Sequence, residues 1–357
     1  MKTLRLFLIL LPLLVTGCAG IGPTAVQHSR TDYNLVLRRT SDEQLLLNLV
    51  RLRYRDRPLF LEVSGLTTQF KFSPFFSASL YDGSDGASST TIKGEVEYEE
   101  RPTVTYAPLQ GKDFVQRVLS PVSWRTLDLL DNVGWRSDRV LRVCVQQMNH
   151  LGNAITASGP TPERAPPFRA FLRAVSLYRT LKERDLVHSF AMKEGGQVIQ
   201  MLDFVPEATE TPEYREFTRL LGLDPEKRRY PVLLNAGVRL PDTIDVRTRS
   251  FIGILSFLSH AVEVPDEDLA AGRVTRTLDD AGRPFDWSEV TRGLMRIRSS
   301  SQEPDNASVK VHYRGHWFYI DDSDLDSKST FMLLGQLFAL QSGEVRNTGP
   351  VLTLPVN

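Results

Sequence analysis

Cysteine is nearly absent from this sequence, which contains only Cys18 and Cys144 among 357 residues. If Cys18 carries another group, no intramolecular disulfide can form, and the fold has to be held together by its apolar core. Apolar residues make up 41% of the chain. A chain of this length and composition can build that core in one large domain or in two ordinary ones.

An excess of positive charge is also missing. The chain has 43 basic and 43 acidic residues, and removal of Lys2 and Arg5 with an N-terminal leader would leave 41 basic residues. Proteins that bind nucleic acids depend on clustered positive charge. The balance therefore argues against a nucleic acid as a partner.

The common catalytic motifs are missing as well. The sequence has no H-E-x-x-H, C-x-x-C, G-x-x-x-x-G-K-[ST], G-x-G-x-x-G or G-x-S-x-G. His312 and His316 are four residues apart, but they flank a predicted two-residue turn and should lie on opposite faces of a hairpin. We therefore expect no metal site and no cofactor, and the sequence favours a role other than catalysis.

The densest acidic cluster precedes a predicted helix and comprises Asp321, Asp322, Asp324 and Asp326. Three of these residues match the first ligand positions of a calcium loop, but Ser327 and Leu333 occupy the positions that need Gly and Glu. We predict that the cluster caps the helix that follows. The alternative is that Asp321 and Asp322 serve a hydrolase acting on envelope polymers.

The N-terminus has the pattern of a secretory signal. Lys2 and Arg5 precede an apolar run at residues 6–15, which is about half of the roughly 20 residues that a spanning helix needs. Small residues and then Cys18 follow, and this ending resembles the lipobox of bacterial lipoproteins. That resemblance implies cleavage before Cys18 and attachment of lipid to its thiol.

The lipid would be the membrane anchor of this protein, since three acyl chains bind a bilayer firmly. Residue 19 is Ala rather than the Asp that tends to retain Gram-negative lipoproteins in the inner membrane. We therefore predict an outer-membrane lipoprotein that faces the periplasm. The inner membrane and the cell surface are the less favoured alternatives.

The pattern of the remaining chain predicts an α+β fold, with antiparallel hairpins packed against helices in two lobes. The predicted divisions are a signal peptide at 1–17, a lipidated tether at 18–32, an N-terminal lobe at 33–157, a linker at 158–167 and a C-terminal lobe at 168–357. The tether shows no hydrophobic period, and the linker is rich in Pro and Gly.

Within the N-terminal lobe we predict a helix at 41–55 and two paired strands at 59–72 and 92–106, with a bulge at Ser64-Gly65. The connection at 73–90 is long for a hairpin loop, and such loops are usually functional or disordered. Its apolar residues are candidates for contact with a partner or a membrane, or they fold back onto the core. They are Phe75, Phe76, Leu80 and Tyr81.

A basic cluster ends the predicted 41–55 helix, where Arg51 and Arg55 share one helical face. They could meet anionic headgroups or an acidic partner close to the anchor. Ion pairing with nearby acids is the structural alternative. In the same lobe Cys144 falls on the apolar face of a helix predicted to reach Leu151, so we expect a buried residue rather than a reactive thiol.

Three stretches are similar to a family of Gram-negative lipoproteins that has no assigned activity. They are residues 40–54, residues 248–265 and residues 317–322. The resemblance supports the lipid anchor and brings no catalytic residues. We therefore predict a binding, scaffold or envelope-assembly role with an envelope protein as partner. The alternatives are the envelope-polymer hydrolase and an accessory subunit of an export or efflux complex.

Overall fold

The computed structural model of the protein describes residues 21–82, 88–194, 197–237 and 240–341. Helices account for 43% and strands for 25%, and the sheets are antiparallel or mixed, so the predicted α+β class is confirmed. The sequence also predicts a last strand at 351–355, and both this segment and Cys18 lie outside the described residues.

Ten α-helices are used in the description that follows. They are α1 (Ile21–Arg53), α2 (Gly111–Phe114), α3 (Trp124–Asn132), α4 (Ser137–Cys144), α5 (Arg169–Glu183), α6 (Pro212–Leu221), α7 (Phe251–Ser259), α8 (Asp266–Ala270), α9 (Ser288–Thr291) and α10 (Leu325–Leu340). A π-helical turn at Val115–Leu119 continues α2. Across the described ranges, no helix combines the length and the apolar content that crossing a membrane requires.

The strands form three sheets. They are β1 (Leu61–Asp82), β2 (Ser88–Pro108), β3 (Val145–Met148), β4 (Leu151–Gly152), β5 (Val187–Glu194), β6 (Gln197–Phe204), β7 (Arg229–Leu234), β8 (Ile244–Thr248), β9 (Arg298–Ser300), β10 (Ala307–Tyr313) and β11 (His316–Asp321). Strands β1 and β2 pair with each other, β10-β11-β9 form a second sheet, and β4-β3-β8-β7-β6-β5 form the third. All pairs are antiparallel except β7 with β8.

The chain divides into two compact units at places other than the predicted ones. One unit is Leu59–Gly111, which we call the ribbon, and the other, which we call the body, contains the rest of the described chain. The predicted linker at 158–167 belongs inside the body, where Thr161 is buried and the Ala165 amide donates to Leu278 at 2.9 Å. Strand β3 pairs with β8, so one sheet joins residues from both predicted lobes.

The main core of the body lies between the six-stranded sheet and helices α5 and α6. Phe171 and Val175 of α5 are buried, as their helical spacing predicts. They share this core with Phe204, Tyr214 and other apolar residues of the sheet and α6. This core contains residues from before and after the predicted linker. The Pro and Gly residues of the linker therefore belong to an irregular but packed connection within the body.

Helix α1 begins at Ile21, so the predicted extended tether is helical over residues 21–32. The Ser41 hydroxyl donates to the Leu37 carbonyl at 2.8 Å instead of capping a new helix. Gly22 and Pro23 fall in the first turn, where both are tolerated, and no later Pro or Gly interrupts the helix. Twelve helical residues span only about 18 Å, well short of an extended chain.

The ribbon confirms the predicted hairpin and its bulge, since β1 pairs with β2 and the register shifts between Val63 and Gly65. The predicted loop at 73–90 is wrong, because β1 continues to Asp82 and β2 begins at Ser88. Aromatic and Thr residues in this stretch favour strands. Pro74 is compatible with this assignment because β1 is an edge strand.

The helix predicted to reach Leu151 ends at Cys144, and Val145–Met148 forms β3 instead. Its apolar spacing suits a helix, but pairing with β8, about a hundred residues away, overrides that preference. The Arg249 amide donates to the Cys144 carbonyl at 2.7 Å at this junction.

Arg249 is the largest fully buried side chain in the body, with 1% of its surface exposed. It follows β8 and precedes Ser250, whose hydroxyl caps α7. Its guanidinium donates to the carbonyls of Arg142 (3.1 Å), Val143 (3.1 Å), Val145 (2.7 Å) and Asn153 and to the Ser158 hydroxyl (2.9 Å). Burial lowers the pKa of Arg249 to about 9. The carbonyls at the end of α4 supply the negative dipole that this cation needs.

A second buried contact fixes the end of α1. The Tyr54 hydroxyl donates to Asp268 of α8 at 2.5 Å, and Arg273 also bonds this carboxylate. Burial raises the pKa of Asp268, but the hydrogen bonds from Tyr54 and Arg273 outweigh it and hold the pKa below its ordinary value. The ionised carboxylate is thus the form that joins α1 to α8.

We expect Asp268→Asn to lower the free energy of unfolding at pH 7 by about 2 kcal/mol, because the buried carboxylate loses the charge that strengthens its hydrogen bonds with Tyr54 and half-exposed Arg273. A carboxylate whose pKa is lowered by folding stabilises above its unfolded pKa and loses that contribution as pH falls through the folded value. The deficit should therefore shrink below about pH 4. Urea unfolding at pH 7 and pH 3 measures both effects.

Asp266→Asn is the matched control, because Asp266 is exposed on the same helix. It should change stability by less than about 0.5 kcal/mol. Equal stability of Asp268→Asn and wild type at pH 7 would contradict this role of the Asp268 carboxylate.

Candidate functional site

The ribbon has one apolar face and one polar face. Directly opposed residues in an antiparallel pair share a face, and successive residues alternate between faces. The even-numbered positions form one set. In β1 they are Leu66, Thr68, Phe70, Phe72, Pro74, Phe76, Ala78 and Leu80. Opposite them, in the same order, β2 has Val104, Pro102, Glu100, Tyr98, Val96, Gly94, Ile92 and Thr90. Glu100 is the one charged residue in that set, so this face is apolar over most of its length.

The odd-numbered positions carry the charges of the ribbon. They pair Lys71 with Glu99, Gln69 with Arg101, Ser73 with Glu97, Phe75 with Glu95 and Ser77 with Lys93. Arg101 and Glu99 also form an ion pair at 2.6 Å. The sequence predicts alternating apolar and charged residues over 92–99. The observed register shows the same alternation along nearly the whole hairpin.

The four predicted contact residues of this region all lie in β1 rather than in a loop. Phe76 and Leu80 share the apolar face, whereas Phe75 and Tyr81 occupy positions on the polar face. The Phe75 side chain is 63% exposed. The four residues therefore do not form one patch, and the apolar face that contains Phe76 and Leu80 extends far beyond them.

The basic residues at the end of α1 are placed by contacts inside the body. Arg51 is half-buried, and exposed Arg55 donates to the Thr161 carbonyl at 3.1 Å. Earlier in the helix, Arg38 and Arg39 form ion pairs with Asp42 and Glu43. The ion-pairing alternative is thus observed for those two residues, and Arg55 has a structural role.

The acidic cluster before α10 serves the local backbone. Asp324 accepts from the Ser327 amide at 3.0 Å, which confirms the predicted cap. Asp321 accepts from the Ser323 amide at 3.0 Å, and Asp322 pairs with Lys328 at 2.5 Å. These bonds give the cluster a structural role and supply no argument for hydrolysis.

The paired histidines and Cys144 also occupy structural positions. His312 lies opposite Trp317, and His316 opposite Tyr313, as the turn at Arg314-Gly315 predicts. In the part of the chain that the structure describes, no group of three His, Cys, Asp or Glu residues could hold a metal ion. Cys144 is fully buried, and burial raises the pKa of its thiol to about 12.

A cleft in the body was not predicted. Its volume is about 840 Å³, and its walls come from the end of α1, the end of α7, the chain between α8 and α9, and the start of α10. Two buried polar atoms without hydrogen-bond partners belong to residues of this cleft, Nε of Arg53 and Nε2 of His260. Buried polar atoms are rarely left unsatisfied, so this pair needs an explanation.

Arg53 is the last residue of α1 and only 7% exposed. Its Nη1 donates to the Thr161 hydroxyl at 3.2 Å and lies 3.5 Å from the Thr275 carbonyl. Among the described residues it forms no ion pair. Burial lowers the pKa of Arg53 to about 10, so the guanidinium is charged at neutral pH.

His260 ends α7 and packs against Trp287, with 3.9 Å between the ring centroids. Its Nδ1 lies 3.1 Å from the Phe257 carbonyl, which can only accept, so the proton must be on Nδ1. Burial and, to a smaller extent, the charge of Arg53 together lower the pKa of His260 to about 3. The cleft thus contains a neutral imidazole whose Nε2 is an acceptor.

The acidic residues of the cleft are bonded elsewhere. Glu263 pairs with Arg296, Asp326 pairs with Arg139, Asp324 caps α10, and Asp286 accepts from the Ser288 amide. Arg276 and Arg292 are exposed residues of the cleft, and neither forms an ion pair with any described residue. The lining therefore balances in formal charge, with four arginines and four acidic residues, but each acid has a partner whereas Arg53, Arg276 and Arg292 form no ion pair with any described residue.

Sequence reasoning had little chance of finding this cleft. Arg53 sits within a run of arginines, and His260 is a single histidine at the end of an apolar helix. The available signal was that a charged residue and an imidazole each adjoin strongly apolar segments. Their convergence depends on the packing of α1 against α7, and neither periodicity nor motif spacing reports that packing.

Comparisons with family models, with curated proteins and with solved structures found no match in any of the three. The resemblance of three stretches to a lipoprotein family therefore stays a prediction. Arguments about the role of this chain have to come from its own residues and geometry.

Proposed function

We propose that the protein is an envelope lipoprotein, anchored through Cys18 and facing the periplasm from the outer membrane, whose role is assembly rather than catalysis. Lys2, Arg5, the apolar run at 6–15 and Cys18 support the anchor, and Ala19 supports the outer membrane. The absence of catalytic motifs from the sequence supports a role in binding. The ribbon is the observation that carries the assembly role.

The ribbon offers two backbone edges for pairing. In the described structure, β1 and β2 pair only with each other. Residues 66–82 and 88–104 therefore each present one edge with no third strand. Exposed edges of this length are templates for another strand, and soluble proteins usually shorten, cover or charge them.

A protein strand fits these edges better than lipid does. The amides and carbonyls along each edge need hydrogen-bond partners, which hydrocarbon cannot provide. Strand addition supplies these bonds and leaves side chains to set specificity. An edge of 17 residues would gain about 16 hydrogen bonds, compared with about 10 in a typical protein interface.

The occupant that we propose is the ribbon of a second copy of this chain. Its strands match in length, and pairing β2 of one copy with β1 of the next keeps the sheet antiparallel and the apolar faces continuous. Strand β2 contains Glu95, Glu97, Glu99 and Glu100, whereas the one charged residue of β1 between 66 and 81 is Lys71. Pairing of β2 with another β2 would place acidic rows side by side, so charge favours the β2-to-β1 arrangement.

We expect full-length protein in detergent to be oligomeric at micromolar concentration, and replacement of residues 66–104 by a short Gly-Ser turn to make it monomeric. The ribbon is a compact unit of its own, so the body should keep its circular dichroism spectrum and unfolding transition. Light scattering coupled to size exclusion measures the mass.

Phe76→Glu and Ser77→Glu form a matched pair on adjacent positions of β1. Phe76→Glu places a charge on the apolar face and should weaken association at least tenfold, whereas Ser77→Glu lies opposite Lys93 on the polar face and should leave it unchanged. A wild-type monomer, or an oligomer that survives the deletion, would overturn the proposed self-assembly. A monomer that binds only a different envelope protein would do the same.

The anchor has its own test. Labelled palmitate should be incorporated into wild type and Cys144→Ala, and not into Cys18→Ala, because only residue 18 follows the signal. Globomycin should block processing of the wild-type precursor. Incorporation of labelled palmitate into the Cys18→Ala protein would show that the lipid is not attached at residue 18.

A further inference from the structure

We propose that the cleft of the body binds a small hydroxycarboxylate, a ligand with a carboxylate beside one or more hydroxyl groups, as in an acidic sugar. The cleft combines a buried cation that lacks an ion-pair partner with a buried acceptor that lacks a donor. Both atoms are shielded from solvent in this conformation, so entry of the ligand includes small rotations of the Arg53 and His260 side chains, after which one ligand supplies both missing partners. This site is separate from the ribbon and goes beyond the proposed assembly role.

The carboxylate is assigned to Arg53. A buried guanidinium is costly unless it is paired and hydrogen-bonded. Here Nη1 has only neutral oxygens of Thr161 and Thr275 as partners, and the buried Nε has none. A carboxylate oxygen would accept from Nε and neutralise the charge with a charge-assisted hydrogen bond.

The hydroxyl is assigned to His260. Because Nδ1 donates to the Phe257 carbonyl, Nε2 can be satisfied only by a donor. A bare carboxylate or a sulfate ion has no proton to give. A hydroxyl next to the carboxylate does, and this difference selects the hydroxycarboxylate from other anions.

The other residues that line the cleft beside Arg53 and His260 fit the same ligand. The rings of Trp287 and Phe285, 5.2 Å apart between centroids, give the cleft an apolar wall that suits the C–H face of a sugar. Exposed Arg276 and Arg292 add positive charge that would attract an anion. The volume of about 840 Å³ lies in the range of small-molecule sites.

Calorimetry on full-length protein in detergent tests the assignment with three probes. Sodium glucuronate should bind with a Kd of about 0.1–1 mM, a reasonable value for a ligand of this size. Glucose lacks the carboxylate, and sulfate is an anion that has no proton to donate at neutral pH, so neither should bind at 10 mM. Absence of glucuronate binding, or binding of sulfate in its place, would overturn the proposal.

Two kinds of variant locate the site. Arg53→Lys keeps the charge and loses Nε–H, and His260→Phe keeps a ring on Trp287 and loses the acceptor; each should weaken glucuronate binding at least tenfold. Because both residues are buried, the exposed pair Arg276→Ala and Arg292→Ala serves as the variant that is expected to fold normally. It should raise Kd at least threefold at low salt.

Arg125→Ala is the control, since Arg125 is an exposed arginine that does not line the cleft. It should leave Kd unchanged. If the Arg276→Ala, Arg292→Ala protein and the Arg125→Ala protein bind glucuronate equally well, the ligand lies elsewhere and the assignment to this cleft fails.

Discussion

The body is organised around one buried cation. Arg249 lies just before α7, and all of its hydrogen-bond partners are oxygens of the end of α4, of β3 and of the 153–158 segment after β4, so it joins these three segments to the start of α7. None of the described partners is acidic. The carbonyls at the end of α4 and the ring of Phe257 stabilise the charge instead. The guanidinium carbon lies 4.0 Å from the centroid of that ring. The buried charge of Arg249 is therefore stabilised only while these four chain segments keep their positions.

This constraint positions the rest of the body. Helix α7 starts directly after Arg249 and ends at His260, so the segment that Arg249 fixes also brings the unpartnered imidazole to the cleft. The end of α1 contributes Arg53 to the lining of the same cleft, and Tyr54, the next residue, bonds Asp268. The ribbon is a separate unit, and its two strands pair only with each other in the described structure, which is the basis of the proposed assembly. Binding of a small ligand and assembly would thus be carried by different parts of the chain.

Local patterns predicted the elements whose partners are close in sequence. The strands of the ribbon with their bulge, the turn at Arg314-Gly315 and the helical spacing of α5 were read correctly because period and turn chemistry determine them. The predictions failed where distant contacts decide. Val145–Met148 became a strand through β8, and the 158–167 segment packed into the body. The presence of Arg53 and His260 in one cleft required α1 and α7 to meet. The long predicted loop failed for another reason, because its Gly, Ser and Asp residues favour a loop although residues 73–82 and 88–90 pair within the hairpin.

The most direct test of this account is the stability of Arg249→Met and Arg249→Lys, measured by urea unfolding beside the exposed control Arg125→Met. Methionine fills the volume but leaves the carbonyls of Arg142, Val143, Val145 and Asn153 without this donor, so we predict a loss of about 3–5 kcal/mol. Lysine keeps the charge but cannot reach the spread of acceptors, so it should recover little of that loss. A loss of less than about 1 kcal/mol in Arg249→Met, no greater than in the control, would contradict the claim that this cation organises the body.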